Sequence, residues 1–419
     1  MLVNQTYEID SCDDVELSIK RESKLEFKLW FDDEKSPKAL VFIVPGLGGD
    51  SDENYRGHLA EIVAKDFNVA VVSVNYHCIG NRPQTSSTFY LDEIDKLILD
   101  VTCQTADIKL PYDVKQIQNY DQMNEVFKFI NQALIEGKKE GRFRLDYFLN
   151  LHVSLQPAKN EYQNFGIMQA QDLLNTALYL KKNAPFDTMG GGIPVIMIGS
   201  SHGGYLAHLA TKIAPWLVEG VIDNSSYAKF LWRLVGFGKE IDFMQYAEFS
   251  TFDFFQHIKV YCSTKTFWTN NSKSPHYFSP ARRRIRNILD LEHLKIQSSF
   301  SKPCYISYHS MYDKQISPPN EKIELYDFFK NNDFDAKLYM IKDENQVDGK
   351  FIKSLEHGMG MSIKTLIKKE LPPMLEKIKN NPKKIARKKT IEYPCEDLLY
   401  KFSQRNDRIH LEIKNIGTK

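Results

Sequence analysis

Ser201 stands at the centre of Gly199-Ser-Ser-His-Gly203, a G-x-S-x-G spacing. A serine hydroxyl is a poor nucleophile at neutral pH unless a base takes its proton and a third group orients that base. The flanks give the spacing meaning. Pro194-Val-Ile-Met-Ile198 suits a buried strand, and residues 205–213 carry a helical pattern. A strand, a Gly-flanked turn with Ser at its apex and then a helix present a serine for acyl transfer. The bland alternative is an ordinary strand-to-helix turn whose glycines only relieve backbone strain.

A nucleophilic Ser201 calls for an acid and then a histidine later in the chain. Asp313 follows the apolar run Pro303-Cys-Tyr-Ile-Ser-Tyr-His309, and His357 follows the next run, which ends near Lys342. The order Ser201, Asp313, His357 is therefore the order this chemistry requires. Asp313 could instead buttress a turn. Asp223, also placed after a strand, is the second candidate acid. Asp343 and Asp348 lie too near the histidine in sequence. His202 and His309 read as turn or pocket residues, and His410 falls in the tail.

The oxyanion of an acyl-transfer transition state needs N–H donors. One is expected from the residue after the nucleophile, His202. The other is expected from the glycine-rich loop Pro45-Gly-Leu-Gly-Gly-Asp50, with Leu47 as the donor and Gly48 as the alternative. A phosphate cradle is the competing reading of that loop, but neither G-x-x-x-x-G-K-[ST] nor G-x-G-x-x-G spacing is present.

The elements around these residues set the fold class. Residues 14–31 alternate charged and apolar positions, as strands with one wet face do. The runs 39–44 and 68–75 are continuously apolar, as strands buried on both faces are. Short helical patterns separate the strands. The expected class is α/β, with a mostly parallel central sheet and helices on both faces. Two stretches break the rhythm, at about 78–162 and 228–300. The first reads as an insertion of mixed, mainly helical character. The second is rich in aromatics, among them Phe230, Trp232, Phe237, Phe243, Tyr246 and Phe249, and reads as a cap or lid. Residues 1–380 make the main domain and 381–419 a C-terminal extension. Its basic run 383–389 reads as a solvated appendage rather than a nucleic-acid or membrane patch.

Composition excludes several classes. The 419 residues are 42% hydrophobic and 26% charged, with a net charge of +1, so no global field points to nucleic acid. Six scattered cysteines without a C-x-x-C pair argue against a zinc site and a disulfide scaffold. The first residues lack a basic segment followed by an apolar one, and no apolar run approaches the ~20 residues of a membrane span. The reading is a cytoplasmic protein without cofactor or metal, its oligomeric state open.

With these motifs in place, the chain resembles the α/β-hydrolase superfamily over roughly residues 14–76, 164–227 and 300–380. The run His309-Ser-Met-Tyr-Asp-Lys-Gln-Ile-Ser-Pro318 resembles the H-G-x-x-D-x-x-V-P segment of its prolyl-oligopeptidase-like and acyl-peptidase branch, with Ser310 where that branch has Gly. The whole chain resembles a hydrolase-like family of Campylobacter encoded near flagellar and capsular glycan genes. Two departures are the long insertion after Tyr76 and the extension past Pro382.

The expected function is a serine esterase that removes an O-acyl group from a sugar or glycan precursor through Ser201, His357 and Asp313. Three rivals stay open. A peptidase is suggested by the Asp313 segment, although no N-terminal region of β-propeller size is present. An acyltransferase would use the same triad with a sugar hydroxyl in place of water. An accessory protein on the same fold would not be catalytic.

Overall fold

The computed structural model describes residues 1–47, 49, 54–80, 87–232, 235, 252–381 and 388–417. In chain order the first elements are strands β1 (Leu2–Ile9), β2 (Leu25–Asp32) and β3 (Leu40–Val44), helix α1 (Asn54–Phe67) and β4 (Ala70–Asn75). Then come β5 (Thr88–Tyr90), α2 (Glu93–Thr105), α3 (Tyr120–Lys139), β6 (Leu149–Gln156) and α4 (Ile167–Asn183). The Ser201 region holds β7 (Val195–Ser200), α5 (His202–Ile213) and β8 (Gly220–Asn224). The hairpin strands β9 (Phe252–Phe255) and β10 (Ile258–Thr264) precede α6 (Pro280–Arg286) and α7 (Leu291–Ser298). The remainder is β11 (Cys304–Ser310), α8 (Pro319–Asn331), β12 (Ala336–Ile341), α9 (Ile363–Asn380) and β13 (Thr390–Cys395), β14 (Leu398–Arg405) and β15 (Arg408–Asn415).

The chain divides into two units. The first comprises Met1–Ile79, Asn164–Leu231 and Asn271–Lys419. Its eight-stranded sheet runs β1-β2-β4-β3-β7-β8-β11-β12. β1, β2 and β4 pair antiparallel, and every pair from β4 through β3 to β12 is parallel. β3 and β4 are buried along their whole length, as their unbroken apolar runs require. On one face Val41, Ile43, Val71, Ile196, Ile198 and Ile222 pack with α1 (Leu59, Val63) and α9 (Leu366, Ile367, Leu371). The opposite face takes α4 and α5. Every residue of α5 is buried, so it is a core helix rather than an amphipathic cover. An antiparallel lead-in, parallel strands crossing over through helices and a serine turn after the fifth strand in space make this an α/β-hydrolase fold.

The second unit, Gly80–Gln163 with Trp232–Asn270, has a sheet of its own in the order β5-β6-β10-β9. β6 and β10 pair in parallel, Leu149 opposite Ile258. Leu149, Leu151, Val153 and Leu155 alternate along β6 and pack against Leu99 of α2 and Val126, Phe127, Ile130 and Leu134 of α3. Beside its helices the first insertion carries the strands β5 and β6, and Leu-Asn-Leu-His-Val-Ser-Leu-Gln has the two-residue period of a strand. The second excursion ends at Asn270 rather than near 300, since α6 and α7 return to the first unit. The middle of the aromatic stretch read as a lid, 233–234 and 236–251, lies outside the described residues, as do 383–387 of the basic run.

The C-terminal extension is built into the first unit. β13, β14 and β15 form an antiparallel meander. Tyr393 hydroxyl donates to the Lys212 carbonyl at 2.6 Å, and the Ile409 N–H donates to Asn175 Oδ1 of α4 at 2.8 Å. Its deepest tie is an ion pair. Arg286 and Glu16 are both buried, and Tyr400 hydroxyl donates to Glu16 Oε1 at 2.7 Å. The guanidinium also donates to the Asn164 and Phe165 carbonyls at 2.8 and 3.0 Å. Four distant stretches are thereby joined at one charge. Among the described residues no helix is long and apolar enough to cross a membrane.

A buried charge stripped of its partner is costly. Glu16→Gln is expected to lower unfolding stability by about 3–5 kcal/mol, read as a shift of the urea midpoint. A midpoint unchanged within error would show that the carbonyls alone solvate Arg286.

Candidate active site

The Ser201 turn is built from steric exclusions. Ser201 has φ 53° and ψ −121°, a backbone conformation sparsely populated by residues with a side chain. It closes only because its neighbours are glycines. A Cβ on Gly199 would lie 2.4 Å from the Gly203 carbonyl carbon, and one on Gly203 would lie 2.2 Å from the Val44 carbonyl oxygen. The strained residue is held from both sides. Its N–H donates to the Asn224 carbonyl at 2.8 Å, and its own carbonyl accepts from Tyr205 N–H at 3.0 Å. The side chain is thus lifted off the end of β7, at the C-terminal edge of the sheet, where ligands of such folds are held.

Asp313 and His357 meet it there. Asp313 lies past the end of β11, buried, with its Oδ1 accepting from the Ser317 N–H at 3.1 Å. His357 opens a short helical turn after β12. Gly358 (φ 77°) and Met359 (φ 53°) bend the chain back, and the Met359 side chain is fully buried in the core, anchoring the turn. His357 Nδ1 lies 2.6 Å from Asp313 Oδ2, and Nε2 lies 2.8 Å from Ser201 Oγ. An ionised carboxylate can only accept, so Nδ1 carries the proton and Nε2 is the acceptor facing the hydroxyl. Exposure is graded, with the Asp313 side chain 2% and the His357 side chain 22% accessible.

Asp223, the second candidate acid, is not brought to His357. Its Oδ2 meets His208 Nε2 at 2.9 Å, and its Oδ1 accepts from Ser307 Oγ at 2.9 Å and from the buried Lys322 ammonium at 3.1 Å. Burial works against its charge, but Lys322 and His208 beside it hold the carboxyl well below the usual carboxylate range. His309 is buried and meets the Ser317 carbonyl through Nε2 at 2.8 Å.

Leu47 sits in the turn after β3. That loop abuts the serine turn, since a Cβ on Gly46 would be 3.4 Å from the Ser200 carbonyl oxygen. Tyr76 hydroxyl donates to the Pro45 carbonyl at 2.9 Å and fixes the loop from β4. Gly48, the alternative donor, lies outside the described residues. His202 is the first residue of α5, where backbone N–H groups have no intrahelical acceptor. Its ring is fully buried. Gln169 Nε2 donates to the His77 carbonyl at 3.1 Å, which turns Oε1 toward His202 Nε2 at 3.2 Å, while Tyr227 hydroxyl meets Nδ1. This network makes Nε2 the protonated nitrogen. No sequence signal marks Gln169 or Tyr227 as its partners, because both are ordinary buried positions on α4 and after β8. Among the described residues no group of three or more His, Cys, Asp or Glu could hold a metal ion.

Two predictions follow from this construction. Gly203→Ala puts a methyl against a backbone carbonyl and is expected to destabilise the fold by at least ~4 kcal/mol or abolish soluble expression; a thermal midpoint within a few degrees of the parent would refute it. The second concerns pH. Burial lowers His202 to about 3, and burial with the Lys322 charge lowers His309 to about 4. Unfolded histidines take up protons below about 6.5. The unfolded chain therefore binds more protons between those limits, and stability falls as pH drops below about 6.5. Thermal unfolding from pH 7.5 to 4.5 should show that slope, shallower in His202→Gln; an identical slope in the variant would contradict the buried neutral ring.

Solved structures resemble the chain at low identity. Acylaminoacyl peptidase of Pyrococcus horikoshii is 11% identical with a TM-score of 0.45, over 90% of this chain and 41% of that one. A candidate dipeptidyl aminopeptidase IV from Bacteroides ovatus is 10% identical with a TM-score of 0.44, over 90% of this chain and 36% of that one. The chain thus spans well under two thirds of the length of either peptidase. Est1E from Butyrivibrio proteoclasticus is 14% identical with a TM-score of 0.41, over 89% of this chain and 99% of that one. No functionally curated protein matches the sequence. The family model described as protein of unknown function (DUF2920) matches residues 5–413, and the chain belongs to that family.

Proposed function

We propose that the chain is a serine hydrolase that cleaves a carboxylic ester through an acyl-enzyme. The observation that supports this most directly is the continuous hydrogen-bonded line from Asp313 through His357 to Ser201, at 2.6 and 2.8 Å. Ser201 Oγ attacks the ester carbonyl as its proton passes to His357 Nε2. Asp313 holds the Nδ1–H tautomer and stabilises the imidazolium. The N–H groups of His202 and Leu47 receive the oxyanion, with Gly48 as the alternative donor. Collapse of the tetrahedral intermediate breaks the bond to the leaving alkoxide, which takes the proton back from His357. Water then adds to the acyl carbonyl by the same relay and frees Ser201.

For the substrate, the reading is an acyl ester carried by a sugar or glycan precursor. It rests on the resemblance to the Campylobacter glycan-locus family, with a role in flagellar or capsular glycan modification. The experiment has three arms. A fluorophosphonate probe should label the wild-type chain and not Ser201→Ala. Turnover of p-nitrophenyl acetate should fall by roughly 10⁴-fold or more in Ser201→Ala and His357→Ala, and by roughly 10³–10⁴-fold in Asp313→Asn. O-acetylated sugars should release acetate. Labelling that persists in Ser201→Ala overturns the assignment; acyl transfer to added sugar acceptors makes the enzyme a transferase.

A further inference from the structure

The end of β8 does something none of the triad residues explains. In the sheet register Asn224 lies between Ser200 of β7 and Tyr308 of β11. It is the residue whose carbonyl receives the Ser201 N–H. Its side chain and that of Ser225 reach the opposite way, to the loop that carries the base. Gly358 N–H donates to Ser225 Oγ at 3.0 Å. With its oxygen so occupied, Ser225 donates its own proton to Asn224 Oδ1 at 2.9 Å. That bond fixes the amide orientation and aims Nδ2 at the Gly358 carbonyl, to which it donates at 2.9 Å. Three hydrogen bonds close a ring around both polar groups of the residue next to His357.

The ring is costly to build. Asn224 and Ser225 are 1% and 0% exposed, and Ser225 takes φ 54°. Ser225 is held there by its own N–H, which donates to the Tyr308 carbonyl at 2.9 Å. The next residue extends the connection to the acid. The Ser226 carbonyl accepts from Ser317 Oγ at 3.1 Å, and Ser317 N–H donates to Asp313 Oδ1 at 3.1 Å. One strand end therefore touches the backbone of the nucleophile, the loop of the base and the loop of the acid. Gly358 has φ 77°, and a freely jointed glycine beside the base would let the imidazole drift.

We infer that Asn224 and Ser225 are positioning residues that clamp the Gly358 peptide groups and so hold His357 Nε2 in register with Ser201 Oγ. The inference rests on the reading of Ser201, His357 and Asp313 as a triad. Neither residue touches the reacting atoms, so the effect falls on kcat through geometry. Displacement of a catalytic group by ~1 Å can cost about 100-fold.

The test uses the full chain with Ser225→Ala, which leaves the Gly358 N–H without its acceptor, and Asn224→Asp, which turns a carboxylate oxygen on the Gly358 carbonyl. Thermal unfolding establishes that each variant is folded; if one is not, the other carries the test. Both should lower kcat for p-nitrophenyl acetate, and the rate of fluorophosphonate labelling, by about 10–100-fold with KM changed less than about threefold. In a His357→Ala background the same changes should alter the residual rate less than about twofold, because their effect passes through the imidazole. A second readout needs no turnover: the low-field Nδ1–H proton resonance of His357 should broaden or exchange faster in Ser225→Ala than in the parent. Wild-type rates retained within about twofold, an undisturbed resonance, or full additivity with His357→Ala each overturn the clamp. If the wild type neither labels at Ser201 nor turns over esters, the hydrolase reading fails, and the resonance alone decides whether the clamp holds His357.

Discussion

Everything at the site depends on one strained residue. Ser201 occupies φ 53°, ψ −121° because the chain must turn from the end of β7 into α5 within a residue. A conformation of this kind costs of order 1–3 kcal/mol and survives only where its surroundings over-determine it. Here they do. Two glycines admit backbone at distances no Cβ would tolerate, and α5 is buried from its first residue to its last. The strain has a geometric product: Oγ stands clear of the end of β7, beside the first backbone N–H groups of α5, which have no intrahelical acceptor. A relaxed turn would fold the hydroxyl back toward its own helix.

A lifted hydroxyl sets the demands on the rest of the molecule. Its base cannot come from β7 or α5, so it comes from a loop that is itself tied down. The His357 turn is tied at three points, by Met359 in the core, by the Gly358 peptide groups at the end of β8, and by Nδ1 on Asp313. Burial decreases from Asp313 to His357. In the proposed mechanism the acid, shielded from water, holds the ring more strongly, while the ring stays open enough to hand a proton to a leaving group.

The parts of this site that could be read in the sequence are those whose signal is local. Ser201, Asp313 and His357 each follow an apolar run, and in a parallel sheet the loops after successive strands gather at one edge, so their order alone implied proximity. The serine turn added two glycines whose spacing has a steric reason. What escaped was non-local. β6 alternates cleanly, yet its strand neighbour β10 begins about a hundred residues later, and an isolated alternating run amid helices does not announce a sheet. β1 escaped because it is an edge strand with polar residues on most positions. The place of the C-terminal meander was not legible because what ties it down, Tyr393 on Lys212 and Tyr400 on Glu16, is spread over the whole chain. Asn224 and Ser225 escaped because polar residues after a strand look like the start of any loop.

The contrast between Asp223 and Asp313 shows why position after a strand is not sufficient to identify an acid. Both carboxylates are buried, Asp223 near the end of one parallel strand and Asp313 past the end of another. Asp223 lies one residue before the strand end, in register with Gly199, and so points at its neighbours within the sheet and helices rather than above the edge. Its oxygens are used up by His208, Ser226, Ser307 and Lys322. Lys322 in turn is a buried cation of α8, the helix that follows the Asp313 loop, and it also donates to the Ser226 carbonyl at 3.2 Å. Each of these charges would be prohibitive to bury alone; together they bolt the helix behind the acid to the strand behind the nucleophile. Asp223 is thus committed as a brace. Asp313, three residues beyond its strand end with Oδ2 turned to a ring nitrogen, keeps an oxygen for the base. The buried brace below and the less buried line of Asp313, His357 and Ser201 above are successive layers of one edge of the sheet, and the 2.8 Å contact between the Ser201 and His357 turns is anchored on the lower one.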